Sequence, residues 1–530
     1  MNRASPLSVP TPPRSPPSPA ELADDFFRPP APDRGQSVRS ASLMVMSGIA
    51  QLVIGAVAVA FLARILTPAD FGVFTMAAFL IGFVATFRDF GLTMATVQST
   101  ELHHEHASAL FWLNLKLSCG MAVLVVACGP VLAWFFGYRA LVGITAVLGV
   151  GIAVAALANI HQGLLLRGMR FGATAATEVT AVLLGAVAGI AAAYAGAGYW
   201  ALVVQQLIFF GGLGLLPWLF CSWRPEGYRN SRRHAGTAAH RALVYYGKDL
   251  SLSKLVTQLG SSLDVVLIGR FAGAGPLGLY QAAVRWGMLP VQQLYIPLTR
   301  VVVATLSRLR TDVDQYRAGF GTAVRSSAAL VLPGLAFLFV GARDIVLLLL
   351  GPQWLGAVPM FQALTVAAFL DVVRLYCTWT YLTEGRLQRQ LRWTLIATPV
   401  TMLGISVGIL WGALGVAIGY ALAKAMLVYP GVAYCLSGSL LRPQDFWRAL
   451  ARPALTAAAA AALLFLVQGW ALPSMPLIAG LLVQGIAFAS ICVSSWLLLP
   501  GGRRDAGEML QLLRLLRPAA PRRDPRAGHA

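Results

Sequence analysis

Acidic residues are scarce in this sequence, with 21 Asp and Glu among 530 positions. Charged residues of both signs reach only 12%, where a soluble globular chain carries about 25%. So little charge excludes an ordinary water-facing fold. Cysteine is rare as well. The six present (Cys119, Cys128, Cys221, Cys377, Cys435 and Cys492) fall inside or at the ends of apolar stretches, with no CxxC or metal-ligand spacing. They read as small core residues rather than disulfide partners or ligands. No GxxxxGK(S/T) P-loop, HExxH helix or GxSxG elbow occurs, which removes the usual ATPase, zinc-protease and hydrolase signatures. The HHEH run at 103–106 has no second ligand cluster, so neither a metal nor a cofactor is expected. No soluble stretch is large enough for a sugar-nucleotide site.

What is present is hydrocarbon: 57% hydrophobic residues and a mean hydropathy of +0.69. Apolar runs of about 20 residues recur, the length that crosses a bilayer as a helix. They do not alternate as the strands of a membrane barrel would. The expected spans are 41–63, 71–96, 108–135, 141–163, 173–194, 200–222, 249–269, 278–304, 322–341, 357–382, 393–411, 413–436, 453–472 and 476–499. The fold class is therefore all-α, a polytopic membrane protein of about 14 transmembrane helices. Residues 1–36 are rich in Pro, Ser and Ala and hold no hydrophobic signal core, so they read as a disordered tail. The first helix would itself direct insertion.

The net charge of +20 does not indicate nucleic acid, because the basic residues are spread through short loops and tails. With the N-terminus inside, 29 Lys and Arg fall on the cytoplasmic side and only Arg64, Arg139, Arg270 and Arg343 on the other. That asymmetry sets the orientation and supports the span count, since one missed helix would scramble it. Both termini and the basic connector 223–247 are then cytoplasmic.

The connector divides the chain, and a repeat lies across it. ARILTPADFGVF (63–74) aligns with GRFAGAGPLGLY (269–280) at an offset of 206, placing Gly72 on Gly278. FFG at 135–137 meets LLG at 349–351, LLLRGM at 164–169 meets YLTEGR at 381–386, and Gly198 meets Gly415. The expected organisation is two pseudo-symmetric six-helix lobes, 37–222 and 248–436, in one orientation. Two appended helices (437–500) and a basic tail (501–530) follow. Two parallel lobes that rock about a cleft are a transporter plan.

Charges within spans are costly, so they mark protein interiors or water-filled paths. Lys254, Thr257, Gln258, Ser261 and Asp264 share one face of the seventh helix, and Gln281, Arg285, Gln292 and Thr299 one face of the eighth. Asp371 and Arg374 are an i,i+3 pair on the tenth. Arg88 and Asp89 on the second point about 100° apart and need partners elsewhere. Static salt bridges between helices and a polar translocation path both fit these residues.

LTPADFGVF (66–74), FRDFGL (87–92), ALFWLNL (109–115), LLLRGMRF (164–171) and GYWALVVQQL (198–207) resemble the N-terminal half of bacterial polysaccharide-repeat-unit flippases of the Wzx type. LDVVLIGRFAGAGPLGLYQAAVR (263–285) and LLLGPQWLGAVPMFQAL (348–364) continue the resemblance, which covers roughly 37–436. These flippases belong to the superfamily of multidrug exporters, oligosaccharidyl-lipid exporters and lipid II flippases. The resemblance implies an inner-membrane, two-lobed protein that moves undecaprenyl-diphosphate-linked oligosaccharide to the periplasmic leaflet for polysaccharide or lipopolysaccharide synthesis. Its partners would be that lipid-linked substrate, membrane lipids and other polysaccharide-assembly membrane proteins. For such a cargo Arg88, Lys254, Arg285 and Arg374 would meet the diphosphate, with Gln281 and Gln292 for the sugars. Asp89, Asp264 and Asp371 would take up protons or Na⁺. A cation-coupled small-molecule exporter or a lipid II flippase is the alternative on the same scaffold. A membrane polymerase or ligase is disfavoured because the longest outer loop, about 342–356, has Asp344 as its only acidic residue.

The orientation is tested by a cysteine placed at Asn230 in a background without the native cysteines. Labelling is expected from the cytoplasmic side; labelling from the periplasm alone would reverse the topology.

Overall fold

The computed structural model describes residues 34–88, 104–228, 262–471 and 476–498, and among them there is no strand. By internal contacts the chain divides into two compact units, Met1–Ile65 with Met76–Ser261, and Leu66–Thr75 with Ser262–Ala530. The first unit holds α1 (Arg34–Ile65), the greater part of α2 (Pro68–Arg88), α3 (His104–Phe136), α4 (Ala140–Ala156), α5 (Asn159–Arg167), α6 (Phe171–Tyr194), α7 (Trp200–Leu215) and the single turn α8 (Pro217–Phe220). Helix α3 packs on α4, α6 on α7, and α1 on α6. The second unit holds α9 (Leu263–Phe271), α10 (Ala274–Leu309), α11 (Val313–Val340), α12 (Ala342–Leu349), α13 (Val358–Glu384), α14 (Leu387–Gly408), α15 (Gly412–Leu436), α16 (Pro443–Ala471) and α17 (Leu477–Leu498).

Ten helical stretches among the described residues are long and apolar enough to cross a membrane, and Leu387–Leu436 contains both α14 and α15. Their outer faces expose Leu395, Leu403, Phe465, Leu466 and Ile486, each more than 60% accessible. Patches of that extent are unstable in water and ordinary in lipid. The protein is a multi-pass, all-α membrane protein. The expected spans 71–96 and 249–269 lie partly outside the described residues.

Several boundaries move from their expected places. The span at 141–163 is broken at 157–158, between α4 and α5. Backbone carbonyls freed inside a membrane must find partners. Asn114 Nδ2 donates to Ala156 O at 3.2 Å and Trp218 Nε1 to Leu157 O at 3.2 Å. Helix α11 starts at 313 rather than 322, because Asp312 caps it by accepting from the Asp314 and Gln315 N–H groups, both at 3.1 Å. After α11 the chain forms α12 and a 3-10 turn, Pro352–Ala357.

The two halves repeat their turn geometry. Gly137 and Gly351 both have positive φ (81° and 102°), as do Gly196 and Gly412 (79° and 72°). Met169 (φ 54°) corresponds in its turn to Gly385 (φ 73°), since each donates its own N–H three residues back while the next residue, Arg170 or Arg386, donates five back. The alignment of 164–169 with 381–386 therefore shifts by one residue, to place 169 on 385.

Leu66–Thr75 packs within the second unit. Thr67 and Asp70 form a reciprocal cap, Thr67 N–H donating to Asp70 Oδ2 at 2.9 Å and Asp70 N–H to Thr67 Oγ1 at 3.3 Å. Phe71 stands edge-on to Trp354, with centroids 5.1 Å apart, and Gln353 Nε2 donates to Leu66 O at 2.9 Å. Gly72 lies so close to α10 that a Cβ there would overlap the Ala274 carbonyl, while a Cβ on Gly278 would overlap the Pro68 carbonyl. Pro68 and Ala274 are repeat equivalents, as are Gly72 and Gly278. The contact is thus reciprocal, each connector's glycine lying against the other's carbonyl. A similar ladder joins α14 to α15, where Gly404 and Gly408 meet Gly419 and Gly415 backbone to backbone.

Gly72→Ala and Gly278→Ala are each expected to destabilise the purified protein by about 1–3 kcal/mol through overpacking. Gly275→Ala, with nothing within 4 Å of its would-be Cβ, is the control. Equal unfolding temperatures in detergent for all three would refute the close approach.

Candidate functional site

In the second unit α13, α14 and α15 surround a cavity of about 90 Å³ lined by Asp371, Arg374, Thr378, Gln390, Trp393 and Lys424, among others. Asp371 is its electrostatic centre. Its Oδ1 accepts from Arg374 Nε at 3.0 Å and from Lys424 Nζ at 2.9 Å, and Tyr420 OH donates to Oδ2 at 3.4 Å. The Asp371 and Lys424 side chains are 13% and 19% exposed, whereas Arg374 is 57% exposed. The i,i+3 spacing on α13 sets the first pair. Lys424 reaches across because α15 packs directly on α13. Two cations on one carboxylate leave a net positive charge at the cavity wall. Its exposed part is the Arg374 guanidinium, a group suited to an anionic ligand.

Asp264, at the start of α9, accepts from the Val265 N–H at 2.8 Å, and the Tyr280 hydroxyl lies beside its carboxylate. Tyr420 is near enough to feel both Asp264 and Asp371. The structure therefore brings Asp264 and Asp371 into one group with Tyr280, Tyr420, Lys424 and Arg374. Arg285 stands apart. It is exposed on α10 and makes no hydrogen bond or ion pair with any described residue, and Gln281 nearby is half-buried. Thr299, from the same expected stripe, serves packing instead, since it accepts from Trp379 Nε1 at 3.0 Å. Arg88 ends α2 and Gln292 lies within α10, but their side chains are outside the described set; Lys254 and Asp89 are outside it altogether.

Lys424, Tyr280 and Tyr420 are members of this group that do not figure among the candidates read from the sequence. The available signal was electrical: an intramembrane Lys needs a partner, and Asp371 is one of few in-span acids. A strap in the first unit is a second such feature. Residues 221–228 run back along α3, with Trp223 Nε1 donating to His104 Nδ1 at 2.9 Å, Trp112 Nε1 to Glu226 O at 2.7 Å, and Lys116 Nζ to the Tyr228 hydroxyl. Lys116, inside the expected span 108–135, and His104, in the histidine run, anchor the start of the basic connector.

A family model described as "Polysaccharide biosynthesis protein" matches residues 61–359. The lipopolysaccharide biosynthesis protein WzxC of Escherichia coli (strain K12) is 22% identical over 396 residues, 74% of this chain and 79% of that protein. The succinoglycan biosynthesis transport protein ExoT of Rhizobium meliloti (strain 1021) is 26% identical over 313 residues, 59% of this chain and 62% of that protein. Among solved structures, lipid II flippase MurJ in an inward closed conformation is similar with a TM-score of 0.65 at 14% identity, covering 86% of this chain and 98% of that one. That likeness concerns the fold.

Removing Asp371 leaves Lys424 without its counter-charge, so Asp371→Ala is expected to lower stability by about 3 kcal/mol. Arg374→Ala should matter much less to stability, because its partner-facing group is largely solvated. A double variant, Asp371→Leu with Lys424→Met, should recover most of the loss. If that double variant is stable and still active in glycan export, the cluster is structural; stable but inactive, it takes part in transport.

Proposed function

The chain belongs to the polysaccharide biosynthesis protein family, and from that premise we propose that it translocates undecaprenyl-diphosphate-linked oligosaccharide repeat units across the bacterial inner membrane by alternating access. The family match across 61–359 carries this reading. The all-helical membrane fold of the described residues supports it. WzxC and ExoT are named for different glycans, as fits a shared lipid-diphosphate handle beneath a variable sugar.

In this reading Arg88, Lys254, Arg285 and Arg374 contribute positive charge to the path of the diphosphate, with Gln281 and Gln292 for the sugars. Arg285 is the strongest of the four, because it is exposed on a membrane helix and has no partner among the described residues. A charge left unpaired at that depth is expensive unless water or cargo meets it. Of the three carboxylates proposed for ion coupling, Asp371 is held by two cations, while Asp264 has tyrosines beside it. Asp264 is thus the freer to exchange a proton or bind Na⁺, and Asp89 stands with it on sequence grounds. The two six-helix lobes with appended helices, and both termini in the cytoplasm, belong to the same proposal.

Polysaccharide export in a strain lacking the gene, complemented by variants and normalised to membrane expression, is the test. Arg285→Glu is expected to abolish export, and Arg285→Lys to retain part of it, since charge survives without the bidentate fork. Full export by Arg285→Glu would remove this residue from the path.

A further inference from the structure

The turn between α13 and α14 carries Arg386, Arg389 and Arg392, which line an open recess of about 380 Å³ with Tyr434. The three arginines differ in their commitments. Arg386 is a framework residue: Nη1 donates to Glu384 Oε2 at 3.1 Å and to Cys435 O at 3.3 Å, and Nη2 to Ser437 O at 2.6 Å. Arg389 spends only Nε, on Tyr434 O at 3.1 Å, and its guanidinium lies 4.5 Å from the Tyr434 ring centroid. Arg392 is exposed and makes no hydrogen bond or ion pair with any described residue. Arg310 adds a fourth cation, with Nη1 3.9 Å from where a Cβ on Gly385 would sit. The nearby carboxylate does not neutralise them. Glu384 is 5% exposed and already accepts from Arg386, Ser439 Oγ and the Leu440 N–H.

This recess lies where two spans join, hence at a membrane interface, and it borders an apolar groove. Helices α13 and α14 both pack on α15 and scarcely on each other. The cavity between them is the one that holds Asp371, Arg374 and Lys424, and the rest of its wall is mainly apolar, with Leu370, Val373, Ala397, Leu427, Val428 and Val432. Residues alternate along α14, with Arg389 and Arg392 lining the recess and Gln390 and Trp393 lining the groove. Trp393 stacks on Tyr434 at the boundary, their centroids 5.6 Å apart. A cationic mouth, an aromatic rim and a hydrocarbon slot follow the order of an anionic lipid from headgroup to chain.

We propose that this corner binds one anionic phospholipid, its phosphate on Arg389 and Arg392 and an acyl chain in the groove between α13 and α14. A free phosphate would use the arginines alone; the adjoining slot is what selects a lipid. The site is separate from Arg285 and does not depend on which glycan is carried.

The test is native mass spectrometry of the purified full-length protein, supplied with phosphatidylglycerol or phosphatidylcholine of identical chains. Phosphatidylglycerol should be retained preferentially. Arg392→Gln, whose side chain holds no described contact, should weaken retention about fivefold, and Arg389→Gln with Arg392→Gln about tenfold or more. Ala397→Trp, which narrows the slot, should weaken it without touching the arginines. Unfolding temperatures in phosphatidylcholine verify that each variant is folded, and Arg392→Gln alone is decisive if the others are not. Equal retention of both lipids, or no effect of Arg392→Gln, would overturn the site. Displacement by millimolar inorganic phosphate, with Ala397→Trp neutral, would reduce it to an anion site and overturn the lipid. Preference for undecaprenyl phosphate over phosphatidylglycerol would reassign it to the substrate.

Discussion

Hydrocarbon offers no partner to a polar atom, and this constraint organises the molecule. Every backbone group in the bilayer must be satisfied within the chain, so the described residues are helix, turn and short link. The exit from regular helix at 157–158 shows the rule at work. The break between α4 and α5 survives because Asn114 and Trp218 supply donors to Ala156 and Leu157. Elsewhere helices approach by deleting side chains, as at Gly404, Gly408, Gly415 and Gly419. In lipid, burying apolar groups between helices gains little over leaving them against acyl tails, so close packing carries more of the association.

The same constraint sorts the charges. Asp371 between Arg374 and Lys424 is a charge that has been answered: three groups, short distances and little exposure on two of them. Such a group can hold α13 to α15 without doing anything else. Arg285 has no described partner and therefore needs an explanation from outside the protein. Arg392, at the interface, raises a milder form of that question, because water and headgroups are both available there.

The helical class and most spans were legible because apolar length is a one-dimensional property. Helix starts were less so. The Asp312 cap moved α11 nine residues earlier than hydropathy indicated, since a polar first turn looks like loop to any hydrophobicity argument. The repeat was visible as scattered glycines, but only backbone geometry showed that Met169, not Gly168, occupies the left-handed position matching Gly385. For the candidate site, Asp371–Arg374 was readable from spacing within one helix. Lys424 and Tyr420 were not, because contacts across helices depend on which faces meet. Thr299 shows the reverse dependence: it shares a stripe that fitted either a path or a helix contact, and the Trp379 indole donates to its hydroxyl.

The identities to relatives are low, 22% to WzxC and 26% to ExoT, and a hydrocarbon solvent makes few demands on the letters it faces. A lipid-facing position accepts any large apolar residue, so most of each helix surface can drift freely. Fewer positions are held tightly. Gly72 and Gly278 face each other's backbone and admit no Cβ; the turns at 137, 196, 351 and 412 require positive φ, which glycine supplies at least strain. These positions serve the scaffold, and packing of this kind says nothing about cargo. Cargo must instead be recognised by the few polar groups that the scaffold leaves unanswered. That is why Arg285, rather than the better-connected Asp371 cluster, is the residue proposed first for the path, while the transport reading itself rests on the family match.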